Sequence, residues 1–126
     1  MSEFPPFPGA LNSLHLIGHV VSVSEMRYHP RDGSRTVVLI VKVSVERIGI
    51  HGGARSYANN FRVVCKNDIA EYAERELEPG LAIRVEGPIR TVKYVKEDCG
   101  CEQYSQEVMA RFVARLPEDV AKERMR

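Results

Sequence analysis

Four places in this 126-residue chain set an aromatic ring near a fixed positive charge. Tyr28 follows Arg27, Tyr57 lies two residues from Arg55, Phe61 precedes Arg62, and Tyr94 follows Lys93 four residues after Arg90. That combination suits one kind of chemistry. Arg and Lys track a phosphate backbone while rings stack on bases, each stack contributing about 1–3 kcal/mol. Every one of these rings also has a plainer use, packing in a core or against a hairpin neighbour. Tyr94, expected at a strand end with two basic neighbours, is the strongest stacking candidate. Phe61 reads equally well as a contact to a partner chain.

Other chemistries find less support. Cys99-Gly-Cys101 offers two thiolates and Cys65 a third, but structural zinc takes four ligands, usually as two spaced pairs, and no second pair exists. The spacing is also one residue short of a redox Cys-x-x-Cys. Reduced loop thiols are the expectation, with no metal and no cofactor. His15, His19, His29 and His51 are scattered, and no Gly-x-Ser-x-Gly elbow, Walker loop or dinucleotide-binding glycine motif is present. The acidic residues concentrate on one expected helix rather than pairing at strand ends. The chain does not read as an enzyme.

Charge is segregated along the chain although the net value is only +1. Residues 27–66 hold eight Lys or Arg against Asp32 and Glu46, a local +6. Residues 87–96 add Arg90, Lys93 and Lys96 with no acid, a local +3, whereas residues 67–86 carry six acids against Arg75 and Arg84, a local −4. Basic strands around an acidic helix are the electrostatic footprint of a nucleic-acid binder, or the solvated faces of an ordinary barrel. The contact set this predicts is Arg27, Lys42, Arg47, Arg55, Tyr57, Arg62, Lys66, Arg90, Lys93, Tyr94 and Lys96.

The elements that must carry these residues follow from period and punctuation. With 44% hydrophobic and 28% charged residues the composition is that of one globular domain. No apolar run reaches the ~18 residues of a membrane span. The start, Met-Ser-Glu-Phe-Pro-Pro-Phe-Pro, lacks the features of a signal peptide, and the cysteine usage fits a reduced, cytoplasmic setting. Residues 1–10 are expected to be an extended arm, 11–116 the domain and 117–126 a short charged tail.

A first strand runs over 11–24, with Gly18 marking a bulge or bend. Pro30 and Asp32-Gly33 make a turn. Residues 36–47 alternate strictly, Leu39, Val41, Val43 and Val45 against Lys42, Ser44 and Glu46, which predicts a strand with one buried face. A glycine-rich loop leads to a third strand over 56–65. Asn67 or Asp68 then caps a helix with Glu71 completing a capping box, and Ile69, Tyr72, Ala73 and Leu77 form its apolar stripe. Pro79-Gly80 ends the helix. A fourth strand covers 81–95, interrupted at Gly87-Pro88, and a fifth covers 104–116, with Val108, Ala110, Phe112 and Ala114 on one face. The expected fold is therefore all-β, a five-stranded OB-fold barrel with one α-helix between strands three and four.

Four segments resemble the bacterial-type single-stranded DNA-binding protein (SSB) family. They are Leu-Asn-Ser-Leu-His-Leu-Ile-Gly-His-Val from Leu11, Met-Arg-Tyr-His-Pro from Met26, Asn-Phe-Arg-Val-Val-Cys-Lys-Asn-Asp-Ile-Ala-Glu-Tyr from Asn60, and Val-Glu-Gly-Pro-Ile-Arg-Thr-Val-Lys-Tyr from Val85, the most specific. The resemblance implies an OB-fold that binds single-stranded DNA without an enzymatic step, usually as a homotetramer. It puts Arg62, Arg90, Lys93 and Tyr94 on matching basic and stacking positions, and Phe61 where the family usually has a histidine at the subunit contact. The family's tryptophans align near Ile48 and Asn60 and its phenylalanine with Lys66, so three of four stacking platforms are replaced in a chain without tryptophan. Binding with a larger electrostatic share is the expectation. The family's long tail with an acidic tip is not matched by the mixed-charge end at Met125-Arg126. A PriB-like primosomal adaptor, dimeric and built for protein contact in replication restart, is the alternative expectation. An RNA- or oligosaccharide-binding module is a third, although nothing in the sequence encodes a reader of a 2′-hydroxyl.

Overall fold

The computed structural model describes residues 12–48 and 52–117. The expected arm, the tail beyond Pro117, and residues 49–51 of the loop, His51 among them, lie outside the described residues. The elements are β1 (Leu14–Val23), β2 (Arg27–Tyr28), β3 (Arg35–Ile48), β4 (Ala54–Lys66), α1 (Asp68–Glu76), β5 (Ala82–Gly87), β6 (Ile89–Val95), β7 (Glu102–Met109) and β8 (Phe112–Arg115).

Eight segments reduce to five strands of a barrel. β1 pairs antiparallel with β5 through its first half and with β3 through its second. β3 and β4 form one long hairpin from Thr36↔Lys66 to Ile48↔Ala54, and β7 lies parallel to β4. β5 and β6 are a single strand bent at Gly87-Pro88; β7 and β8 are a single strand bent at Ala110-Arg111. The ladder between the two bent strands continues across the corner, where Met109 N–H donates to the Pro88 carbonyl and Arg111 N–H to that of Glu86, both at 2.8 Å. The order β1, β3, β4, β7–β8, β5–β6 thus returns to β1. β2 adds a short rung against β3.

The interior is built from alternate residues of every strand. Leu16, Val20, Val37, Leu39, Val41, Val63, Cys65, Ile83, Val85 and Val108 are buried, with Ala70, Ala73 and Leu77 of the helix packed among them. These β-branched and aliphatic side chains sit at every second position, as a half-buried pleated surface requires. The expected helical stripe is present, with Ala70 added, and Tyr72 fixes the helix by accepting a hydrogen bond from Arg115 N–H at 3.0 Å. Among the described residues no helix is long and apolar enough to cross a membrane.

Four local expectations are corrected. The register shift of β1 against β3 falls between Val20 and Ser22, so the bulge is at Val21 rather than Gly18. Gly18 instead marks a close approach, since a Cβ there would meet the Lys42 carbonyl oxygen. The capping box does not form. Asn67, at φ 54°, takes the left-handed conformation that Asn tolerates and makes no side-chain cap bond. Its Oδ1 accepts from Arg35 N–H at 3.2 Å, while Glu71 turns to the Arg35 guanidinium. The fifth strand does not keep one face, because the bend at Ala110-Arg111 shifts the alternation. Val113 is buried and Phe112 is exposed under the Arg84 guanidinium, 5.9 Å from its ring centre. Lastly, Cys99 and Cys101 stand side by side with their sulfurs in contact, rather than as separate loop thiols. The turn from Lys96 brings their Cα atoms to 5.2 Å, within bonding range. Gly100 at φ 67° donates its N–H to the Lys96 carbonyl, and Lys96 N–H to that of Cys101.

Candidate nucleic-acid interface

Alternation sends the residues between the core positions to the outer face of the sheet. A groove of about 560 Å³ lies there. Val38 and Ile40 of β3 and Val64 of β4 form an apolar floor; Ser22, Ser24, His29 and Thr36 line one side. Ser24 Oγ accepts from Val38 N–H at 2.8 Å, and His29 Nε2 is 3.1 Å from Thr36 Oγ1, so that wall is tied to the sheet. Arg27 enters from β2, Arg62 and Lys66 from β4, and Arg90 from β6. Four cations from three strands therefore converge on one groove.

Glu107 of β7 is the single acid lining it. Register sets Glu107 directly opposite both Arg62 and Arg90. Arg62 Nε donates to its Oε2 at 2.5 Å and Arg90 Nη2 to its Oε1 at 3.3 Å. Its side chain is only 9% exposed, against 50% and 52% for the two arginines. A buried carboxylate thus anchors two guanidiniums that line the groove, each with N–H groups to spare.

The other predicted residues distribute around this centre. Tyr94, 45% exposed, continues the row Arg90–Val92–Tyr94 on β6, beyond the groove wall. Lys42 continues the Val38–Ile40 row of β3 and is exposed, opposite Asn60. Lys93 alternates to the other face of the β6–β7 hairpin, opposite Tyr104, with its Nζ 2.8 Å from Glu102. Lys96 stands in the turn at the hairpin tip, exposed. Tyr57 shares its parity with Phe61, so it lies on the opposite face of the β3–β4 hairpin from Arg62. Phe61 is partly buried against the chain's own core. Arg47 and Arg55 are paired in register, but their side chains lie outside the described residues.

Sequence reading misses Glu107 and His29 as groove residues. Strand alternation from Val108 would have put Glu107 on the outer face, but its two arginine partners come from strands 17 and 45 residues away. No local pattern reports them. Elsewhere, Arg35 holds the helix through Glu71 and Asp68 rather than facing the groove. Among the described residues no group of three or more His, Cys, Asp or Glu could hold a metal.

The model of the single-strand binding protein family matches residues 11–116. The chain belongs to the single-strand binding protein family. SSB folds elsewhere superpose on it well. A deletion variant of the single-stranded DNA-binding protein from Thermus aquaticus matches at a TM-score of 0.73 with 28% identity, over 85% of this chain and 51% of that one. This chain therefore spans about half the length of the Thermus protein. The Plasmodium falciparum SSB, solved in complex with single-stranded DNA, matches at 0.78 with 17% identity, over 93% and 100% of the two chains. The small single-stranded DNA-binding protein of Streptomyces coelicolor matches at 0.66 with 17% identity, over 85% and 95%. These likenesses fit the five-strand, one-helix order of an OB-fold. The SSB family is a DNA-binding family without an enzymatic step, as the sequence resemblance implies.

Proposed function

We propose that this chain binds single-stranded DNA without sequence preference, protecting it in replication, recombination or repair, and that it makes or breaks no bond in doing so. The convergence of Arg27, Arg62, Lys66 and Arg90 on a groove floored by Val38, Ile40 and Val64 carries the reading. The cations meet phosphates, the apolar floor takes base faces, and Tyr94 stacks a base where the strand leaves the groove. Lys42, on the same row of β3, and Lys96, at the tip of the β6–β7 hairpin, extend the basic surface around it. No cofactor is needed, and the place of action is the cytoplasm.

We further propose a homo-oligomer, a tetramer or else a dimer. In the ladders of the described residues β1 from Leu14 to Gly18 pairs with β5 alone, which leaves an edge that a second copy can extend, with Phe61 as a contact residue. The PriB-like adaptor reading is not favoured, because the matching family and the similar structures named above are SSB proteins.

A titration of labelled oligo-dT, followed by anisotropy at several salt concentrations, tests the binding. Three or four phosphates neutralised in the groove give a log–log salt slope of about −2 to −3. Affinity should then fall about twenty- to sixtyfold between 50 and 200 mM salt. Tyr94→Ala should weaken binding by about 1–3 kcal/mol at every salt concentration. No binding at low salt rejects the function; binding indifferent to salt rejects the electrostatic groove.

A further inference from the structure

We propose that Glu107 is a built-in competitor of the DNA phosphates, a carboxylate that sets how tightly and how salt-dependently the groove binds. The inference rests on the single-stranded DNA reading above and adds to it a residue that weakens binding by design of the sheet.

The geometry is specific. Glu107 is the one buried charged residue among the described residues. It faces the same groove as the cations, and both of its oxygens are engaged, one by Arg62 and one by Arg90. A phosphate presents the same two-oxygen acceptor to guanidiniums that a carboxylate does. Glu107 therefore occupies on two of the four groove arginines and lysines the position a phosphate oxygen would take. With Arg27, Lys66, Arg62 and Arg90 at +4 and Glu107 at −1, the groove carries +3. A ligand phosphate gains less from each of the paired guanidiniums, and fewer counterions are displaced, than four free cations would allow.

A plainer role makes the opposite prediction. If Glu107 only holds Arg62 and Arg90 in place, removing it lets them wander and binding weakens. Neutralising a full charge about 6–7 Å from a phosphate that shares its guanidinium instead strengthens binding, by roughly three- to a hundredfold between water-like and surface-like screening. The two readings differ in sign.

The experiment compares the native protein with Glu107→Gln, Glu107→Asp, Arg62→Gln and the double variant Glu107→Gln with Arg62→Gln, each titrated with labelled oligo-dT at several salt concentrations. Glu107→Gln should bind about tenfold tighter at low salt, with a salt slope steeper by about 0.7 for one further phosphate neutralised. Glu107→Asp keeps the charge and should stay within about threefold of the native protein. Arg62→Gln should cost little in the native background and clearly more in Glu107→Gln, a coupling that a purely positional role would reverse. Thermal melting checks that each variant is folded, and Glu107→Met, of equal length, replaces Glu107→Gln if that variant melts early. Unchanged or weaker binding by the neutral variants overturns the inference while leaving the function intact. Equal strengthening by Glu107→Asp also overturns it, since shape rather than charge would then be responsible. If neither the native protein nor any variant binds at low salt, the function falls and the inference with it.

Discussion

Arg62 and Arg90 differ from Arg27 and Lys66 in what holds them. The first two are hydrogen-bonded to a buried carboxylate, which orients the guanidiniums at the cost of part of their field in the groove. Arg27 and Lys66 stand at its rim, exposed. A second buried polar group, Cys65, belongs to the core. Burial pushes its thiol up from 9.0 to about 12. Unfolding returns the thiol to its ordinary value, so above pH 9 the unfolded chain loses the proton first. Stability from this group is fully present below pH 9 and is lost as pH rises toward 12, with a slope of up to about 1.4 kcal/mol per pH unit. Urea midpoints at pH 8 and pH 10.5 should drop further for the native protein than for Cys65→Val. Lys and Tyr titration is common to both and cancels in the comparison, and equal drops would clear the thiol of the effect.

At the scale of elements, two corners let five strands close a barrel. At Gly87 a Cβ would run into the Met109 carbonyl oxygen, with Ala110 Cα at 3.2 Å, because the bent strands cross there at backbone contact. Gly87→Ala must push the corner apart and should destabilise by about 1–3 kcal/mol or more. Gly53→Ala meets nothing within 4 Å and should change stability by less than about 0.5 kcal/mol. Denaturant melts of the two variants make the comparison, and a neutral Gly87→Ala would mean that the corner relaxes freely. Pro88 beside it was legible as an interruption, since proline cannot donate within a ladder. That the fifth strand bends in step with the fourth was not legible. Nothing in Met-Ala-Arg-Phe from Met109 signals a corner, which exists only because Met109 and Arg111 bond on either side of Gly87-Pro88. The helix start shows a similar limit. Asn67-Asp68-x-x-Glu71 is a capping pattern, yet Arg35 recruits Asn67 and Glu71 from 32 and 36 residues away.

For the molecule as a whole, assembly decides how many grooves a DNA strand meets. Light scattering of the purified protein should return a multiple of the 14.2 kDa chain mass, four for the tetramer and two for the dimer. A monomer would reject the oligomer. Linking grooves on adjacent copies raises overall affinity without new contacts in any one of them. If the chain assembles as proposed, a single groove in which Glu107 offsets part of the charge would suffice for a strand that passes over several.

Sequence alone determined the fold class, the core and the outer face, because a period of two sorts side chains between interior and exterior wherever the strand is unbroken. Leu39, Val41, Ile83 and Val85 were readable as core, and Arg62 and Arg90 as outer-face cations, on that ground. Only the tertiary structure decided which cations share a groove. Arg27, Arg62, Lys66 and Arg90 meet there, while Lys93 and Tyr57 turn to the other faces of their hairpins. It also decided that Glu107 lies between two of them. Pairing across strands depends on register and barrel closure, which bring together residues far apart in the chain, and that information is written in the packing of the whole sheet rather than in any local stretch.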